Sequence, residues 1–363
     1  MPTLSEAKSR LDKLIRKSRT HFYKPIAIAE TLYRNRVGED NVDLSELEQY
    51  RRRSETWCQL AYAALYGKIK SASNARYWDQ LFDPAVLPPE MLVVLGEENR
   101  RTSGLVETYI YANLVDKSAA ILGLASSLRS VSPQDFGLAQ FISRFENDPR
   151  FKRSVDKVYE IVVYALFSAV TRHLRATVTL AVDLRQKEVL VDFEDFARLV
   201  LGIDSTHPQI THPARLYRVG TANAADAGLD MWANFGPAVQ VKHLSLSPED
   251  VDDICTYIQA DQIIIVCKSM EAISIESVLQ QVGLGGRIRG IITEQHLIKW
   301  YGIACGGKYY GTLGADLLEA LRNEFALEFP LTQDLQVHAF LAERHYDVSQ
   351  LTDLWSLQRI QEE

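Results

Sequence analysis

The apolar residues of this chain change their periodicity once, around Asn147-Asp148-Pro149, and that change limits the folds open to it. Before it the spacing is helical. Leu11, Leu14 and Ile15 recur at intervals of three and four, while Lys13, Arg16 and Lys17 fall off that stripe. Further helical runs are expected at 26–34, 44–66 and 106–128, with breaks at Pro88-Pro89 and a restart at Ser132-Pro133. After the change, an apolar helix at 155–174 gives way to period-two or continuous apolar runs at 177–183, 216–219, 229–233, 239–244, 262–267 and 287–293. Ser247-Pro248-Glu249-Asp250 reads as a helix start, so its acidic residues are explained by the helix dipole and not by a metal. Helices interleaved with the later strands imply an α/β (α+β) core with a central mixed sheet flanked by helices. The expectation is a helical, basic region at 1–148 and an α/β domain at 149–363 that ends in a helical tail.

The 363 residues are 24% charged and 47% apolar, an ordinary balance for a soluble globular protein. The N-terminus carries no apolar run behind its charges, and no stretch approaches the ~20 apolar residues that span a bilayer, so a cytoplasmic location is expected. Cys58, Cys255, Cys267 and Cys305 are widely spaced without a CxxC and read as buried thiols. The net charge of −7 is unevenly spread: residues 1–76 hold 15 Lys+Arg against 9 Asp+Glu, which makes the rest of the chain strongly acidic. A basic N-terminal portion is compatible with phosphate contact, and equally with a solvated helical bundle.

Chemistry concentrates between Gly220 and Leu246. Asp226 and Asp230 precede a strand on which Gln240 and Lys242 alternate with Val239 and Val241. Residues i and i+2 share a face, so the polar pair points together and needs a ligand or substrate to explain it. Hard oxygen donors hold divalent metal, and an ammonium can orient water and offset charge on a phosphorane. Asp230 can supply a carboxylate, Gln240 an amide oxygen, the Val241 backbone a carbonyl, and Lys242 the ammonium. Asn234-Phe235-Gly236-Pro237 is a turn between the strands. If Asn234 pairs with Ala238, Asp230 falls opposite Lys242; a two-residue loop would set it opposite Val241 and break the site. An odd loop or a bulge is therefore required. Asp226 in Ala225-Asp226-Ala227-Gly228 reads equally as a turn residue, and Glu160 reads equally as a ligand and as an acid near a helix start.

Other motifs have plainer explanations. Gly283-Leu284-Gly285-Gly286 follows a helix and precedes a strand, so it ends a helix and does not cradle a dinucleotide. His207-Pro208 and His212-Pro213 read as turn punctuation in a loop, and His243 as a core residue. Arg10, Lys13, Lys17, Arg51, Arg52 and Arg53 are candidates for phosphate contact; Arg215, Arg218 and Lys308 are weaker ones.

The Asp226–Asp230 pair followed by the Gln240-x-Lys242 strand resembles the PD-(D/E)xK nuclease superfamily. The opening LSEAKSRLDKLIRKSRTHFYKPIAIAETLYRNR, the run DAGLDMWANFGPAVQVKHLSL and the following ADQIIIVCKS together resemble type II restriction endonucleases of the HaeII type, over most of the chain. The resemblance implies Asp230 as metal ligand, Gln240 and Lys242 in the last two motif places, and a helical glutamate, here Glu160, completing the set. Gln240 stands where many relatives have glutamate, so Glu160 or Asp226 must bring the missing charge. It further implies Mg²⁺, a prokaryotic source, a homodimer, a palindromic GC-rich duplex site such as RGCGCY, and a cognate methyltransferase. Two rival readings are a structure-specific repair or junction-resolving nuclease of the same fold, and a non-catalytic DNA-binding protein with a decayed core.

Overall fold

The computed structural model describes residues 2–18, 22–67, 80–219, 229–245, 248–258, 260–269, 287–329, 334–351 and 353–357. The chain forms two compact units, one of Met1–Ser130, Phe145–Ser154 and Ala326–Glu363, the other of Val131–Arg144 and Val155–Phe325. Residues 326–363, expected as a tail of the second domain, thus cluster with the first unit. The segment 131–144 clusters with the second.

The first unit is helical. Its main elements are α1 (Leu4–Lys17), α2 (Tyr23–Val37), α3 (Arg53–Tyr66), α4 (Pro89–Arg101) and α5 (Leu105–Ser130). A capping box starts α1: Glu6 N–H donates to Thr3 Oγ1 at 3.2 Å, and Thr3 N–H to Glu6 Oε2 at 2.7 Å. As the spacing predicts, Leu11, Leu14 and Ile15 are buried while Lys13, Arg16 and Lys17 are exposed. Helix α2 is enclosed along Pro25–Leu32 and packs on α3 and α5. Phe340 and Trp355 lie against Tyr111 and Tyr109, with ring centroids 5.0 and 5.3 Å apart. The core of this unit therefore draws on both ends of the chain.

A buried polar network ties it together. Glu107, wholly enclosed, accepts two hydrogen bonds from Arg36 at 2.8 and 2.9 Å, one from Tyr346 at 2.6 Å, and one from Asn99. Removing one partner of a buried ion pair strands the other charge. Glu107→Ala is expected to destabilise the protein by about 3–5 kcal/mol, read as a fall in the denaturation midpoint.

Among the described residues the second unit holds α6 (Val155–His173) and seven strands. Strands β1 (Thr177–Ala181) and β2 (Gln209–Pro213) form an antiparallel pair, with Thr177 opposite Pro213. The His212-Pro213 stretch, expected as loop, is strand. Its side chains lack an apolar alternation, and the pairing rests on the backbone ladder and a 2.9 Å contact between the Thr179 and Thr211 hydroxyls.

The main sheet runs in the order β3 (Leu216–Arg218), β4 (Met231–Ala233), β5 (Ala238–Val241), β6 (Ile263–Cys267), β7 (Ile288–Thr293). The first three are antiparallel and the last three parallel, which makes the sheet mixed. Parallel neighbours need a crossover, and α7 (Pro248–Tyr257) provides the one between β5 and β6. Its Ile254, with Ile258 just beyond it, covers Ala238, Ile263, Ile265 and Cys267 on one face of the sheet. On the sheet α6 packs against β3 and β5, and α8 (Glu294–Cys305) follows β7 directly. Cys58, Cys267 and Cys305 are buried free thiols. Burial pushes the Cys267 and Cys305 thiols up to about 11, and the side chain of Cys255 lies outside the described residues. No helix among the described residues is long and apolar enough to cross a membrane.

Candidate active site

The β4–β5 hairpin sets the geometry. Ala233 N–H donates to Pro237 O at 3.0 Å, which leaves Asn234, Phe235 and Gly236 as a three-residue loop. Gly236 turns the chain at φ +116°, a conformation glycine adopts readily. Asn234 anchors the loop: its Oδ1 accepts from Arg215 N–H at 2.8 Å and its Nδ2 donates to Pro213 O at 3.0 Å.

The loop has the odd length that was required, but the register differs by two from that expected. Met231 pairs with Val239, and the Asp230 N–H donates to the same Val239 carbonyl at 3.3 Å. Two consecutive residues thus address one, as in a β-bulge. Asp230 therefore lies level with Val239 and Gln240, short of Lys242. The sequence leaves this open because sliding the turn by one residue on both sides keeps the loop odd while moving the pairing by two.

Asp230 Oδ2 accepts from Gln240 Nε2 and from the Val241 backbone N–H, each at 2.8 Å. Gln240 is buried, and among the described residues its Oε1 has no hydrogen-bond partner. A buried amide oxygen left unpaired is costly, and it is the natural seat for a cation. The Asp230 carboxyl is pushed up to about 7, first by burial, then by the charge of Glu160; the Val241 N–H and the charges of Lys157 and Lys242 act in the opposite sense. Lys242 follows the end of β5, half-buried, with its backbone N–H on Val266 O at 2.7 Å.

Glu160 is buried on α6, where Lys157 Nζ sits 2.6 Å from its Oε1 and Arg218 Nε 3.7 Å from its Oε2. Arg218 also bonds Glu324 at 2.8 Å. The Tyr159 hydroxyl donates to Glu294 at the start of α8, which ties this turn of α6 to the end of β7. The structure thus brings together Asp230, Gln240, Val241, Lys242 and Glu160, while Asp226 lies outside the described residues. Lys157 and Glu324 were not read from the sequence. The three-residue spacing from Lys157 to Glu160 was a usable signal; nothing in the sequence links Arg218 to Glu324 across 106 positions.

Among the described residues no group of three or more His, Cys, Asp or Glu could hold a metal. Any metal here would use two carboxylates, the Gln240 amide oxygen and a backbone carbonyl. The chemistry of that donor set suits a hard cation.

The other candidates are dispersed. In the first unit Arg10 donates to Ala85 O at 2.8 Å, Lys13, Lys17 and Arg52 are exposed, Arg51 lies 3.4 Å from Glu48, and Arg53 pairs with Asp40 at 2.6 Å. In the second, Arg215 and Lys308 are exposed and Arg218 is engaged as described. His243 is half-buried; His207 and His212 are exposed, and the His207 ring contacts Thr206 at 2.9 Å.

The family described as HaeII restriction endonuclease matches residues 7–346. The chain is 44% identical over 347 residues to the type II restriction enzyme HaeII of Haemophilus aegyptius, covering 96% of this chain and 98% of that one. It is 41% identical over 348 residues to the type II restriction enzyme NgoBI of Neisseria gonorrhoeae, covering 95% and 97%. No solved structure matches. A helical region, a mixed sheet flanked by helices, and similarity spanning nearly the whole sequence converge: the chain belongs to the HaeII family of type II restriction endonucleases, within the PD-(D/E)xK superfamily.

Proposed function

We propose that this nuclease hydrolyses both strands of duplex DNA at a short palindromic, GC-rich sequence of the RGCGCY kind, using Mg²⁺. The reading rests above all on one observation, the buried Gln240 Oε1, unpaired among the described residues and held beside the Asp230 carboxylate. Asp230, Gln240 Oε1, the Val241 carbonyl and Glu160 would hold the metal. Bound there, Mg²⁺ supplies a more acidic water and offsets negative charge at the phosphate. The Lys242 ammonium would orient the attacking water and offset the charge that develops on the scissile phosphate. Arg218 and Lys157 fix the carboxylate of Glu160, and the Val241 N–H fixes that of Asp230. In-line displacement then leaves a 5′-phosphate and a 3′-hydroxyl.

Phosphate contacts on the first unit, from Lys13 and Lys17 of α1 and Arg52 just before α3 among them, would position DNA without reading its sequence. A palindrome is matched by a two-fold dimer, and a cognate methyltransferase would protect the host genome. Incubation with a sequenced phage genome and Mg²⁺, followed by mapping of fragment ends, tests the reading. Discrete ends sharing one sequence, abolished by chelation, are expected. Cutting confined to branched DNA would assign the chain instead to junction resolution.

A further inference from the structure

We infer that the outer face of residues 184–201 is the surface through which two copies of this chain associate; the inference rests on the reading that both strands of a palindrome are cut. This segment joins β1 to β2 as short helices: Lys187–Asp192, Glu194–Phe196 and a π-helical turn at Ala197–Leu201. Its inner side is accounted for, because Leu190, Ala197 and Ile203 are buried with Val182 and Ile210 packed against them. Its outer side is also apolar. Leu184, Val189, Phe193, Phe196, Leu199 and Val200 are 53–84% exposed. Helical segments apolar on both sides are normally enclosed on both. Six large side chains in one short segment expose several hundred Å² or more, against about 800 Å² per partner in a standard interface.

The charges on the segment point to a second copy as the occupant. Arg185 is held by Asp183, and Arg198 lies against Glu194 and Asp195, while Lys187 near its start and Asp192 beyond it are exposed. Two copies running antiparallel across a two-fold axis set Lys187 of each against Asp192 of the other. The segment as a whole has three basic and four acidic residues, so it has no net attraction for phosphate. The catalytic argument agrees. One chain carries one candidate site, and the strands of a palindrome are themselves related by a two-fold axis.

Sedimentation equilibrium on the full chain, with Phe196→Glu/Leu199→Glu compared with the native protein, tests this. Leu199→Ser serves as a milder variant, and circular dichroism with thermal melting checks each fold. The native protein should be dimeric, and the double substitution should raise the dimer dissociation constant by about 100-fold or more with an unchanged circular dichroism spectrum. Leu199→Ser should shift it in the same direction. A native dimer whose variants associate as tightly as before would overturn this surface while leaving the proposed cleavage reaction standing. A native protein that stays monomeric with and without duplex DNA would overturn it too. Mapped fragment ends from the native enzyme judge the cleavage reading separately.

Discussion

Lys242→Ala is expected to lower the rate of DNA cleavage by about 10²- to 10⁴-fold while DNA affinity and fold are retained. The size follows from the position. Lys242 follows the end of β5, two residues beyond Gln240, and its charge already acts on Asp230. An ammonium that orients water and meets charge growing on phosphate contributes mainly in the transition state, so its loss falls on the rate more than on binding. Single-turnover cleavage of a short duplex carrying the site, beside a binding measurement in Ca²⁺, separates the two. Cleavage at the native rate by the alanine variant would remove Lys242 from the mechanism.

Asp230→Asn is expected to abolish cleavage and, in metal-free protein above pH 7, to raise stability. The carboxyl has an ordinary value of 3.8 and sits at about 7 in the folded protein, because burial and the charge of Glu160 disfavour its ionised form. The folded state therefore holds this proton more tightly than the unfolded state does. Its contribution is fully present below about pH 4 and is lost as pH rises through about 7, a change on the order of 4 kcal/mol. Metal-free native protein should lose melting temperature across that window, and Mg²⁺ should restore it at pH 8. The asparagine variant, with no charge to bury, should show neither the loss nor the rescue. Parallel melts of both proteins with and without Mg²⁺ settle the point, and a native curve flat from pH 4 to 8 would refute it.

Much of this was legible in the sequence because local patterning decided it. The stripe of Leu11, Leu14 and Ile15, the Ser132-Pro133 and Pro248 helix starts, and the apolar runs that became β1, β3, β4, β5, β6 and β7 each carry their own signal. Asp230 and Gln240 could be brought together because residue parity along a strand survives an uncertain turn. The exact register could not, since Ala233–Pro237 and Asn234–Ala238 closures both leave a three-residue loop containing Phe235 and Gly236. The β2 strand escaped because Gln209, Thr211 and Pro213 are exposed and give no apolar alternation. The ion pairs of Arg218 and the return of residues 326–363 to the first unit depend on tertiary packing, which one-dimensional periodicity does not encode.

That return bears on how the protein is made. Helices α1 to α5 leave the ribosome before Phe340, Tyr346 and Trp355, which fill their core and complete the bonding of Glu107. The sheet-bearing unit ends at Phe325. Synthesis therefore reverses the usual N-to-C order of domain completion: all residues of the unit with the candidate site are made before residues 337–355, which the helical unit still awaits.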